Sequence, residues 1–128
     1  MRLLILLAIA GAIGALARYA LGLLARLVAG PQFPWGTWVV NLLGCLLFGW
    51  VVARHDRSLV SDETRLILLV GFAGAFTTFS TLAFDTVALA REGRWSAAFA
   101  NLVLQNLCGL AAILAGMRWG GLGPGRSV

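Results

Sequence analysis

Gly71-Phe72-Ala73-Gly74-Ala75-Phe76-Thr77-Thr78-Phe79-Ser80-Thr81 sets two glycines ahead of four hydroxyl side chains, in the middle of an apolar stretch running from about Arg65 to Ala90. An uninterrupted apolar helix has no need of this composition. Non-helical backbone at membrane depth survives only where it is buried or lines a cavity. There, freed carbonyls favour a cation, while helix N-termini and hydroxyls favour an anion. The competing reading is a continuous helix whose glycines serve packing and whose hydroxyls bond back to carbonyls one turn earlier. The first reading gives a bundle whose third helix is broken in the middle; the second gives a plain bundle.

The rest of the chain fixes the solvent. Of 128 residues 60% are apolar and 12% charged, and the mean hydropathy is +0.90. A soluble domain carries about one quarter charged residues, so the apolar excess must face lipid. Four apolar stretches, at about 3–28, 36–53, 65–90 and 95–119, are each long enough to cross a bilayer as a helix. Together they predict an all-α membrane protein, one four-helix transmembrane domain over 1–128, multi-pass in the cell (inner) membrane. No room remains for a soluble catalytic domain, and the Gly- and Arg-containing tail, 120–128, reads as disordered.

Turn residues mark the boundaries. Gly30-Pro31-Gln32-Phe33-Pro34 ends the first span, Arg54-His55-Asp56-Arg57 the second, and Arg91-Glu92-Gly93-Arg94 the third. Ser61 or Asp62 is placed to cap the third. Trp35, Trp38, Trp95 and Trp119 fall near span ends, with Trp50 close to one, as expected for rings at headgroup level. Met1-Arg2 followed by an apolar run and Ala15-Leu16-Ala17 has the elements of a secretory signal. The apolar character resumes beyond Arg18 to Ala29, longer than a signal core, so the segment is read as a retained helix.

The net charge of +5 and pI near 11.1 come from ten scattered arginines, with no basic run interleaved with aromatics, so nucleic acid is not the partner. Cys45 and Cys108 lie in apolar surroundings and signal neither disulfide nor metal. An even number of spans puts both termini on one side. That side holds Arg2, Arg54, Arg57, Arg65, Arg118 and Arg126 against Arg26, Arg91 and Arg94 opposite, a bias towards a cytoplasmic location for the termini that does not exclude dual insertion.

Polar residues within the spans are the candidate site, because lipid exposure of such groups is costly. Gly11, Ala15, Arg18 and Gly22 share a face, so Arg18 either faces protein, needing an acceptor or attracting an anion, or snorkels to the interface. Thr37, Asn41, Gly44 and Phe48 share another face, and Asn101, Gln105 and Gly109 a third, with Asn106 and Cys108 beside them. These amides are either interhelical glue or a pore lining. Phe79 can offer an anion the positive edge of its ring. With hydroxyl and amide donors and no carboxylate lining, anion passage is favoured over cation passage. Asp85 can pair with Arg18, line a vestibule or cap a helix.

At Gly11 to Tyr19, Gly36 to Gly44 and Gly71 to Thr81 the sequence resembles the Fluc (CrcB-like) fluoride channels. The resemblance implies a dual-topology, antiparallel dimer of four-helix subunits, with two fluoride pathways along the interface and a central structural sodium ion. Under it Asn41 is the pore asparagine, Phe79 the first phenylalanine of an aromatic pair, and Ser80, Thr81, Thr37 and Gln105 polar lining. Gly74 and Thr77 hold sodium through their carbonyls, and Arg18 is the first-helix arginine. Two departures stand out. Leu82 replaces the family's second phenylalanine, and Phe84 points to a different face; Asn101 and Gln105 stand where the family often has a tyrosine and a serine.

The expected function is passive, fluoride-selective export. Two alternatives stand beside it: a subunit that needs a related partner of opposite orientation, one pathway being degraded, and a non-conducting structural bundle. A small multidrug exporter would need an intramembrane carboxylate early in the chain, and none occurs before Asp56. An enzyme would need clustered acid, base or nucleophile groups, whereas His55 stands alone in a loop.

Overall fold

The computed structural model describes residues 1–121. The element order is α1 (Arg2–Ala29), α2 (Trp35–Asp56), α3 (Asp62–Leu66), a π-helical stretch (Ile67–Ala73), α4 (Gly74–Phe76), α5 (Phe79–Arg91) and α6 (Trp95–Gly120). No strand occurs among the described residues. The four apolar segments Arg2–Ala29, Trp35–Asp56, Asp62–Arg91 and Trp95–Gly120 are each long and apolar enough to cross a membrane. This is a multi-pass membrane protein, and its third span is broken.

Local chemistry explains the ends. Ser61 caps α3 by accepting from the Thr64 amide at 3.2 Å, in keeping with its place ahead of two acids at a helix N-terminus. α1 stops at Gly30, whose positive φ of 80° favours glycine, and α6 stops at Gly121, φ 98°. Gly120 is therefore helical and Gly121 its cap, although both fall in the segment expected to be a tail. The remainder of that expectation, 122–128, lies outside the described residues. Phe33, Trp35 and Trp38 cluster at one end of the bundle, while Trp50 and Trp119 meet at the other with ring centroids 6.3 Å apart. Two aromatic belts result.

Little of the surface is polar. Apart from Arg2, Tyr19 and Arg26, the outward large residues of α1 are Leu, Ile and Val, because in lipid apolar side chains gain nothing by turning inward. Contact between helices is made by small residues instead. α2 and α6 lie closest: a Cβ on Gly49 would overlap the carbonyl of Ile113, and one on Gly116 would overlap that of Leu46. The two glycines thus let the backbones touch along one seam.

α1 uses Gly11 and Gly14 against Gly71 and Phe72 of the π-helical stretch, and Gly22 faces Gly36. The tightest of these approaches is at Gly14, which lies beside the face predicted from Gly11, Ala15, Arg18 and Gly22. The π-helical stretch carries one wide turn just ahead of the break, a feature frequent at functional sites and costly in isolation.

Replacing Gly116 by leucine forces α2 and α6 apart and destabilises the fold by about 3 kcal/mol. Leu114→Ala, at an exposed position, changes stability little. Thermal unfolding of both variants in the same detergent, followed by circular dichroism, measures the difference.

Candidate functional site

The third span breaks at Thr77 and Thr78, which are extended (φ −85°, ψ 162° and φ −154°, ψ 112°) between two helical residues. Of the sequence alternatives, the broken helix is the one the structure adopts. The backbone groups released there find side chains. The Thr78 amide donates to Asn41 Oδ1 at 2.8 Å, and Asn41 Nδ2 donates to the Thr78 carbonyl at 3.2 Å. Asn41 thus replaces a missing turn of helix from the neighbouring span, with both bonds on a single residue of the break. Thr78 in turn caps α5 by accepting from the Thr81 amide at 3.1 Å.

The face of α2 predicted from spacing reads the broken span in order. Thr37 Oγ1 donates to Asp85 Oδ2 at 2.6 Å, Asn41 clamps Thr78, and Gly44 seats Thr77, whose methyl occupies the space a Cβ would need. Thr77 Oγ1 bonds back to the Ala73 carbonyl at 3.0 Å.

Asn41 continues into α6. Its Nδ2 also donates to Gln105 Oε1 at 3.0 Å, Gln105 Nε2 to Asn101 Oδ1 at 2.9 Å, and Asn101 Nδ2 to Thr86 Oγ1 at 2.9 Å. Thr86 Oγ1 closes the series on the Leu82 carbonyl at 2.8 Å. Asn101 is fully buried and Gln105 only 8% exposed. Within one chain these two amides therefore serve as connections between helices, and Gln105 keeps only a small exposed surface, towards an apolar cleft beside the break. Thr86 was not a sequence candidate; its only signal was a hydroxyl within an apolar stretch.

Two clefts flank the break. One, of about 630 Å³, is lined by Arg18, Thr37, Thr78, Thr81 and Asp85, with Arg26 and Arg94 at its rim. Arg18 is half-buried there, and no carboxylate lies within ion-pair distance of it among the described residues. Asp85 takes its hydrogen bond from Thr37 rather than pairing with Arg18. Three arginines facing two acids, Asp85 and Glu92, leave this cleft net positive. The other cleft, of about 420 Å³, is mostly apolar and includes Asn41, Phe79, Leu82, Gln105, Gly74 and Thr77. Thr78 is the one residue that lines both.

Exposure separates the remaining candidates. Phe79 stands 76% exposed on the first turn of α5, with Ser80 and Thr81 exposed beside it, whereas Leu82 is 6% exposed and turned into the bundle. Phe84 is exposed on another side. The hydroxyls of Ser80 and Thr81 lie 3.2 and 2.9 Å from that of Thr78. The carbonyls of Gly74 and Thr77 have lost their helical donors, because the Thr78 amide goes to Asn41 and the Thr81 amide to Thr78 Oγ1.

Residues 5–117 match the family model described as CrcB-like protein, Camphor Resistance (CrcB). The chain belongs to the CrcB-like family. It is similar to proteins named fluoride-specific ion channel FluC from several bacteria. That of Solidesulfovibrio magneticus is 51% identical over 91% of this chain and 94% of the relative, and that of Nitrosococcus oceani 50% over 86% and 89%. That of Nitratidesulfovibrio vulgaris, strain Miyazaki F, is 47% identical over the full length of both. These relatives carry the name of an ion channel, not of an enzyme.

Asn41→Leu leaves the Thr78 amide without a partner inside the membrane, a loss of about 1–3 kcal/mol. Hydrogen exchange at the Thr78 amide, read by NMR in micelles, speeds by about 5- to 150-fold in the variant.

Proposed function

We propose that the chain forms a passive fluoride-selective channel that exports fluoride across the cell membrane. The carrying observation is that Thr78, clamped by Asn41, is the wall common to a cationic cleft and an apolar one. An anion drawn into the first by Arg18 meets the hydroxyls of Thr37, Ser80 and Thr81 and the amide of Asn41, then the ring edge of Phe79. All are uncharged donors, and they can replace the water around a small, strongly hydrated ion without trapping it. The printed name of the relatives supports fluoride as that ion.

The working unit in this reading is an antiparallel dimer. Phe79, Ser80, Thr81, Gly74 and Asn106 are exposed at mid-span in a single chain, where lipid contact is costly for the polar groups among them. A second copy laid against the apolar cleft would cover Gly74, Phe79 and Asn106 and, reaching over the first turn of α5, Ser80 and Thr81, completing two pathways. Gly74 and Thr77, with carbonyls freed of helical donors, fit a sodium ion, a hard cation that takes oxygen ligands. These residues would hold it between the copies, where its charge would favour anions nearby. The excess of arginines on the side of the termini supports the alternative, a related chain of opposite orientation in place of the second copy.

Fluoride efflux from liposomes holding the purified protein, read with a fluoride electrode, tests the proposal. Rapid fluoride loss without chloride loss is expected, reduced at least tenfold by Phe79→Ile or Asn41→Asp, each about 1.4 kcal/mol or more in barrier. No efflux from folded protein, restored by co-expression with a related chain, identifies a heteromeric channel. Efflux that no such partner restores leaves a structural bundle.

A further inference from the structure

Thr78 can only donate through its amide, and the Leu82 carbonyl can only accept. Between these two ends run Asn41, Gln105, Asn101 and Thr86, and each link points the same way: Thr78 N–H to Asn41 Oδ1, Asn41 Nδ2 to Gln105, Gln105 Nε2 to Asn101, Asn101 Nδ2 to Thr86 and Thr86 O–H to Leu82. With both termini fixed by backbone, every amide between them has a single consistent orientation. Such a directed chain in low dielectric strengthens along its length.

Asn41 is fully occupied by this arrangement. Its oxygen holds the Thr78 amide, one proton of Nδ2 goes to Gln105 at 3.0 Å and the other to the Thr78 carbonyl at 3.2 Å. An ion can be offered a proton only if one of these bonds opens. The Thr78 carbonyl bond is the longer of the two, and both it and the ion would lie on the broken-helix side of the amide. Gln105 lies on the α6 side and is itself gripped by the fully buried Asn101.

We propose that Gln105 is a positioning residue for Asn41: it anchors one Nδ2 proton so that the other can pass from the Thr78 carbonyl to a small anion and back, and Asn101 and Thr86 hold Gln105 in that orientation. The proposal rests on the channel reading and gives these amides a role in conduction beyond helix association. Gln105 does not touch the anion; it acts through Asn41.

The test uses the full chain in liposomes with three variants, alongside NMR of the protein carrying 15N-labelled asparagine. Gln105→Leu is expected to lower fluoride efflux per folded protein about tenfold, equivalent to roughly 1.4 kcal/mol, and to shift one of the two Asn41 side-chain proton resonances. Gln105→Glu accepts from Asn41 in either charge state but donates to Asn101 only when protonated. Its efflux is expected to recover as pH falls from about 8 to about 5, with protein-free liposomes correcting for passage of hydrofluoric acid. Thr86→Val, similar in size and remote from Asn41, is expected to move the same Asn41 resonance by a smaller amount.

A purely structural Gln105 would lower folded yield while leaving efflux per folded protein and the pH response unchanged. Unchanged efflux in folded Gln105→Leu, or pH-independent loss in Gln105→Glu, overturns the proposal. If the unaltered protein passes no fluoride either alone or with a related chain, the channel reading fails. The Asn41 resonance then decides the anchoring alone: a shift in Gln105→Leu keeps it, and no shift overturns it.

Discussion

A backbone amide and carbonyl released at mid-membrane must be paired within the protein, since no water is there to satisfy them, and Asn41 supplies both partners to Thr78. Everything else near the centre of the bundle answers to that clamp. Gly44 is bare so that Thr77 can sit against α2 one turn from Asn41, and Thr78 caps the helix that restarts the span. The glycine contacts between α2 and α6 bring Gln105 within reach of the same asparagine.

The break has two consequences with opposite signs of charge. Opening the helix directs the Thr78 and Thr81 amides to side-chain oxygens, which frees the carbonyls of Gly74 and Thr77 on the exposed face. The same opening leaves the hydroxyls of Ser80 and Thr81 and the ring of Phe79 exposed, with Thr81 lining the net positive cleft and Phe79 the apolar one. Under the proposed reading the freed carbonyls then suit a fixed cation, and the hydroxyls and ring edge a passing anion. Neither needs an intramembrane acid at the wall between the clefts, and the one acid inside a span, Asp85, is engaged by Thr37.

The four spans and the broken third helix were legible because they rest on composition and on glycine next to clustered hydroxyls, which are properties of short windows. The common face of Thr37, Asn41 and Gly44 was legible from helical spacing, and all three residues do meet the third span. The π-helical turn at Ile67–Ala73 was not, since its side chains are apolar and its extra residue is registered only by packing against Gly11 and Gly14. The status of Gln105 was also hidden. Spacing put it on a polar stripe, but whether that stripe lines a path or joins helices depends on where Asn41 and Thr86 stand, and both lie on other helices. Leu82 likewise reads as a residue missing from an aromatic pair, while the structure buries it at the apolar cleft that exposed Phe79 also lines.

The proposed function has uncharged donors pass fluoride alone down its gradient, and the reversal potential in a planar bilayer measures that directly. With a tenfold fluoride gradient, equal chloride and equal pH on both sides, the account predicts current reversing near the fluoride equilibrium potential, about 59 mV. Reversal near zero, or a reversal that follows an imposed proton gradient, would contradict it.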